Sequence, residues 1–204
     1  SQALIALIPT IGADFQHAVE LILQCPGKVI VTGVGKSGHI GAKIAATLSS
    51  TGTPSFFINP LDAFHGDLGV IGTEDLVLAI SNSGETDELL RFFPYLLARQ
   101  IPVIGMSGNE KSLLAQYSSV HLNISVKKEA CPMGLAPTTS TTVTLALGDA
   151  LACALIVARD FKASDFAQFH PGGALGRRLL TCAKDVMHTD SLPTIAPTTL
   201  MGEA

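Results

Sequence analysis

The chain has 204 residues, 47% of them hydrophobic and only 15% charged, with a formal charge of −4. That length is ample for one well-buried domain. The charge balance excludes a nucleic-acid footprint, since no basic stripe appears and Lys127-Lys128 and Arg177-Arg178 stand as isolated, solvated pairs.

Apolar residues recur at helical period over 3–24 (Leu4, Leu7, Ile8, Ile11, Phe15, Val19, Ile22, Leu23), and Pro26-Gly27 ends that helix. A strand at 28–33 leads into the loop Thr32-Gly33-Val34-Gly35-Lys36-Ser37-Gly38-His39, followed by an alanine-rich helix from Ser37 to Ser50. Gly52-Thr53-Pro54 turns the chain into a second strand, Ser55 to Ile58, and the polar connection from Asn59 to Glu74 carries His65-Gly66-Asp67. A third strand at 75–80 enters a second loop, Ser81-Asn82-Ser83-Gly84-Glu85-Thr86, and a helix from Thr86 to Gln100 that Pro94 breaks or kinks. Strands at Pro102–Met106 and Val120–Val126 flank a helix from Glu110 to Tyr117. A glycine- and proline-bearing loop, Glu129 to Pro137, precedes a long helix at Thr138–Arg159, of which Ala150–Ala158 is the most apolar run. That run is shorter than the roughly 18 residues a bilayer span needs, so a buried helix and no membrane partner are expected. The segment 161–169 is mixed, and His170-Pro171-Gly172-Gly173-Ala174-Leu175-Gly176-Arg177 opens a short terminal helix.

Five strands separated by helices or long connections predict an α/β fold, with a five-stranded parallel sheet and right-handed crossovers. Residues 1–11 lack the basic start of a signal peptide, and Cys25, Cys131, Cys153 and Cys182 show no CxxC spacing. Reduced thiols and a cytoplasmic location are expected.

Both small-residue loops follow an apolar strand, where ligands bind in an open parallel sheet. Gly33-x-Gly35-x-x-Gly38 fits a dinucleotide fingerprint, but Ile58-Asn59-Pro60 stands where its acidic residue belongs. A Walker A loop fails because Ile30 occupies the position of its first glycine. Ser81, Ser83 and Thr86 bring three hydroxyls around Asn82 and Gly84, more than a helix cap needs, which points to phosphate binding. A lysine in one loop and a glutamate in the other suggest chemistry on a small phosphorylated substrate. His17, His39, His121 and His188 have no supporting neighbours in sequence and read as structural, and no His/Cys/Asp set has metal-ligand spacing.

The strings Gly33–His39, His65-Gly66-Asp67-Leu68, Ser81–Glu85, Lys128–Pro137 and His170–Gly176 closely resemble the sugar isomerase (SIS) domain of D-arabinose-5-phosphate isomerases. The resemblance implies a three-layer α-β-α sandwich of flavodoxin-like type and a cytoplasmic homotetramer with interfacial active sites. It also implies interconversion of D-ribulose 5-phosphate and D-arabinose 5-phosphate, without a cofactor or metal, on the route to the eight-carbon sugar Kdo of lipopolysaccharide and capsule. Carried over by position, it implicates Lys36, His65, Glu85, Glu129 and His170 in catalysis. Ser37, Ser81, Asn82, Ser83, Gly84 and Thr86 fall to phosphate and substrate binding. Phe64 and Phe169 stand where smaller residues are frequent in the family. Asp185-Val186-Met187-His188 resembles the entry to the tandem CBS domains that commonly follow, so an SIS domain at 1–182 and a linker at 183–204, starting a CBS region not contained here, are expected.

On this reading Glu129, with Glu85 as second choice, moves the proton between C2 and C1 through a cis-enediol, which requires a carboxyl pKa raised by desolvation. Lys36 offsets oxyanion charge, and His170 or His65 opens the furanose ring. Two alternatives remain: a sugar-phosphate-sensing module without turnover, and an isomerase for another phosphosugar.

Overall fold

The computed structural model describes residues 1–187 and 198. They form two compact units, one spanning Ser1–Lys162 and the other starting at Ala163. The first unit begins with α1 (Gln2–Leu7), a 3-10 turn over Ile8–Thr10 and α2 (Ala13–Gln24). The single helix expected over 3–24 is therefore broken, and the two parts meet at 73°. Pro9 supplies no backbone N–H and Gly12 has no side chain to hold a helical turn, so the break falls between them.

The chain continues through β1 (Val29–Gly33), α3 (Gly35–Ser50), β2 (Ser55–Ile58), α4 (Pro60–Ala63), β3 (Leu76–Ile80), α5 (Asp87–Leu90), α6 (Phe93–Ala98), β4 (Val103–Ser107), α7 (Leu113–Tyr117), β5 (Val120–Asn123) and α8 (Thr139–Ala158). Of the break or kink expected at Pro94 the structure shows the break: the helix expected over Thr86–Gln100 divides into α5 and α6, with Pro94 in the first turn of α6. The helix expected from Glu110 starts only at Leu113, because the Ser112 hydroxyl caps it by accepting from Ala115 N. The strand expected to reach Val126 ends at Asn123.

All five strands pair in parallel, in the order β2-β1-β3-β4-β5, the flavodoxin-like arrangement expected. Alternation along the strands divides the interior in two. Val29, Val31, Leu76, Leu78, Ile80, Ile104, Met106, Val120 and Leu122 face one apolar cluster with residues of α1, α2, α3 and α8. Ile30, Val77, Ala79 and Val103 face the other, with Ala63, Leu89, Phe92, Phe93, Leu96 and Leu114. Both faces of the sheet are covered, as an all-parallel sheet requires.

The 20-residue helix α8 is long and apolar enough to cross a membrane, a longer element than its most apolar run suggested. The core takes up one side of it, about 39% of the span: Val143, Leu147, Leu151 and Leu155 form a buried stripe in the first apolar cluster, with α8 packed on α3. Gly148 lets the two helices close up, since a Cβ there would lie 2.4 Å from Ile44 Cδ1.

The second unit carries α9 (Ala163–Phe169), α10 (Ala174–Leu180) and α11 (Ala183–Val186). The mixed segment before His170 is thus largely helical. Of the expected linker at 183–204, residues 188–197 and 199–204, His188 among them, lie outside the described residues.

Candidate active site

From β1 the chain goes outward to β2 and then returns across β1 to β3, so the direction of winding reverses between β1 and β3. Loops leaving adjacent strands at such a reversal splay apart and open a crevice at the strands' carboxyl ends. The two small-residue loops leave from that point. Gly33 and Ile80 are partners in the pairing register. They lie so close that a Cβ on Gly33 would sit 2.9 Å from the Ile80 carbonyl oxygen.

The 81–86 loop is ordered by its own hydroxyls. Ser81 is buried, and its Oγ lies 2.8 Å from Thr86 Oγ1 and 3.4 Å from Ser83 Oγ. The same Ser81 oxygen accepts from Gly84 N at 3.0 Å, and Ser83 Oγ accepts from Glu85 N at 3.2 Å. Gly84 turns with φ +70°, and a Cβ there would lie 2.1 Å from Ser112 Oγ, so only glycine fits. The hydroxyl cluster read from the sequence is therefore a physical cluster, held on a left-handed turn with Asn82 and Ser83 exposed.

In the neighbouring loop, Gly35 (φ +59°) starts α3 and places Lys36 and Ser37 in its first turn, Lys36 exposed and Ser37 half-buried. Gly38 and Gly41 seat α3 on β1 and β2: a Cβ on Gly38 would meet the Gly33 carbonyl oxygen at 2.7 Å, and one on Gly41 would meet Val31 Cγ1 at 3.2 Å. His65 is exposed after α4, at the carboxyl end of β2, beside Gly66 with φ +130°. Phe64 beside it is also exposed.

The two expected carboxylates are engaged by helix starts. Glu85 Oε1 accepts from Leu113 N, at the opening of α7, at 2.9 Å. Glu129 accepts from Thr138 N (2.8 Å), Thr138 Oγ1 (3.1 Å), Thr139 N (2.7 Å), Ser140 N (3.3 Å) and the Ser140 hydroxyl, which fixes it on the first turn of α8. Burial pushes this carboxyl up, but the Ser140 hydroxyl and the donors of Thr138 and Ser140 outweigh it and hold the pKa at about 2. The raised pKa expected of a base at this position is thus reversed, because these donors bond to the charged form.

Glu88 was missed in the sequence. It lies half-buried in α5, two residues past Thr86, with no hydrogen bond or ion pair among the described residues. Among three acids in four residues (Glu85, Asp87, Glu88), the Glu85–Leu113 contact and the half-burial of Glu88 tell them apart, and sequence shows neither. The segment after β4 was missed as well. Ser107-Gly108-Asn109 repeats the small polar signature of the other two loops, and Gly108 N donates to the Asn82 carbonyl at 2.9 Å.

His170 belongs to the second unit. Its Nδ1 lies 2.9 Å from the Phe166 carbonyl and its ring stacks on Phe166, with centroids 3.9 Å apart. Gly176 is needed beneath it, since a Cβ would lie 1.8 Å from the His170 carbonyl oxygen. Among the described residues no group of three or more His, Cys, Asp or Glu is arranged to hold a metal ion.

The SIS domain family model matches residues 22–154. The chain belongs to the SIS family. The match takes in every strand and both hydroxyl-bearing loops. Arabinose 5-phosphate isomerase KdsD of Yersinia pestis is 56% identical over 195 residues, 95% of this SIS chain and 60% of that protein. Its namesake from Pseudomonas aeruginosa is 57% identical over 191 residues, 93% of this chain and 59% of that protein. The chain thus spans about 60% of the length of these relatives. A solved structure from Escherichia coli CFT073, in complex with arabinose 5-phosphate, is 43% identical, with a TM-score of 0.81, covering 83% of this chain and 90% of that one.

Proposed function

We propose that this SIS domain is an aldose–ketose isomerase that interconverts D-ribulose 5-phosphate and D-arabinose 5-phosphate, feeding Kdo synthesis in the cytoplasm. The observation that carries the reading is the seating of a hydroxyl loop and a lysine loop side by side at the winding reversal, in the fold of a relative solved with arabinose 5-phosphate.

The isomerisation moves one proton between C1 and C2 and needs no outside oxidant or reductant. The substrate phosphate takes the hydroxyls of Ser81, Ser83 and Thr86 with the loop N–H group of Asn82, helped by Ser37. Those oxygens now hydrogen-bond one another, so an incoming anion meets donors already gathered. Lys36 offsets charge as the enediolate forms. His65 serves ring opening.

For proton transfer the bonding favours Glu88 over Glu129 and Glu85. A carboxylate at about 2 with five donors has little affinity for a carbon-bound proton, whereas Glu88 has its lone pairs available. Glu129 then acts by holding the 129–138 strap against α8. The exposed apolar side chains Ile5, Ile8 and Ile11 suit burial between copies, in keeping with a homotetramer. We take residues 1–182 as the SIS domain and 183 onward as the link to further domains.

The test is an NMR time course of ribulose 5-phosphate with purified protein in D2O. The expected result is arabinose 5-phosphate carrying solvent deuterium at C2. Ribose 5-phosphate as product, or binding without turnover, overturns the reading in favour of another isomerase or a sensor.

A further inference from the structure

The 81–86 loop does not stand alone. It is seated on the segment that runs from the end of β4 into α7, through four hydrogen bonds: Ser81 N to the Met106 carbonyl (3.0 Å), Gly108 N to the Asn82 carbonyl (2.9 Å), Leu114 N to the Gly84 carbonyl (3.1 Å) and Leu113 N to Glu85 Oε1 (2.9 Å). The seat is in turn built on two fully buried hydroxyls. Ser107 Oγ lies 3.2 Å from Ser112 Oγ, and each donates to the Asn109 carbonyl, at 3.0 and 2.7 Å. Ser112 is also the residue against which Gly84 turns.

One side chain from outside this segment completes it. His121 on β5 places Nε2 2.8 Å from Ser107 Oγ. Its surroundings are a cleft of about 670 Å³ along β5, lined also by Asp14 and His17 of α2 and by Glu110. None of the loop residues proposed to hold substrate lines that cleft. Burial pushes the imidazole pKa down, against the upward pull of Glu110 and Asp14, which favours the neutral ring.

We propose that His121 is a positioning residue for phosphosugar binding: through Ser107 it fixes the 107–114 segment, and that segment sets the hydroxyl loop in its anion-binding shape. This rests on the isomerase reading above. It assigns a role to a histidine that the sequence alone marked as structural.

The test compares His121→Leu, His121→Asn and His121→Gln with the wild-type chain, by steady-state kinetics on ribulose 5-phosphate and by amide hydrogen exchange. Glutamine places an amide nitrogen where Nε2 stood, whereas asparagine ends short of Ser107 and leucine has no polar atom. We expect the leucine and asparagine variants to raise KM about five- to tenfold, the worth of one hydrogen bond, with kcat changed less than about threefold. The glutamine variant stays within about twofold on both. In parallel, the amides of Gly108, Leu113 and Leu114 exchange at least about tenfold faster in the asparagine variant and at the wild-type rate in the glutamine variant. Should the leucine variant not fold, the asparagine–glutamine pair carries the test. Unchanged KM in the asparagine variant, or a glutamine variant no better than asparagine, overturns the proposal. If the wild-type chain does not isomerise ribulose 5-phosphate, the functional reading fails on its own, and the exchange comparison decides whether His121 seats the loop.

Discussion

Glu129→Gln separates a base from a structural clamp. The substitution keeps the shape of the side chain and removes the charge that its five donors satisfy. The fall of the carboxyl from 4.5 to about 2 corresponds, at face value, to ~3.4 kcal/mol favouring the charged form in the folded state. The carboxylate is only partly buried, so solvent screening reduces that to ~1–2 kcal/mol. Because the folded pKa lies below the unfolded one, this stabilisation is complete above about pH 5 and is lost as the pH falls from 4.5 toward about 2. Urea unfolding of both proteins between about pH 7 and about pH 2.5 reads it directly. The glutamine variant should be less stable near neutrality by ~1–2 kcal/mol, a melting shift of roughly 2–8 °C for a chain of this size. The two unfolding curves should converge as the solution is acidified. Equal stability at neutral pH, or a gap as wide at the acid end as at neutrality, refutes the clamp. Turnover is the second readout: a clamp predicts a smaller loss of kcat here than in Glu88→Gln.

Glu88→Gln should lower kcat by about two to four orders of magnitude with modest change in KM, as for a positioned general base, and near-normal kcat removes Glu88 from that role. Gly84→Ala forces a Cβ onto Ser112 at a left-handed φ of +70°. A loss of about 2–4 kcal/mol in urea unfolding, with a raised KM, is expected. The Thr32 hydroxyl is buried at the end of β1 with no hydrogen-bond partner among the described residues. Thr32→Val should therefore stabilise the fold by about 1 kcal/mol in calorimetry, and a loss of stability would mean that the hydroxyl is paired in solution. Ser83→Ala should raise KM more than it lowers kcat, and an unchanged KM counts against the phosphate assignment.

The sheet was legible because its strands are short β-branched runs bounded by glycine and proline. Ser55–Ile58 was placed to the residue, and the others shifted by one to three positions at their ends. The two loops were legible because small hydroxyl residues directly after a buried strand have few purely structural reasons to be there. What escaped depends on contacts between distant parts of the chain. Nothing in the spacing of Glu129 and Ser140 shows that the carboxylate turns back onto the helix that follows it. Glu85 likewise meets Leu113 only because α7 packs beneath the loop. His121 lacked neighbours in sequence, and its partner Ser107 comes from the pairing of β5 with β4, fourteen positions away. The break at Pro9 and Gly12 was hidden because apolar residues keep a helical rhythm on both sides of it.

Gly148 is remote from every loop, yet it sets how far apart two rods stand: α3, which bears Lys36 on its first turn, and α8, whose opening turn grips Glu129. A methyl group added there would wedge the rods apart and displace the lysine relative to the strap, with no change to any polar group. Selection for altered turnover should therefore recover substitutions deep in the oily interior, at 148 and at Ile44 opposite it, alongside those on the rim.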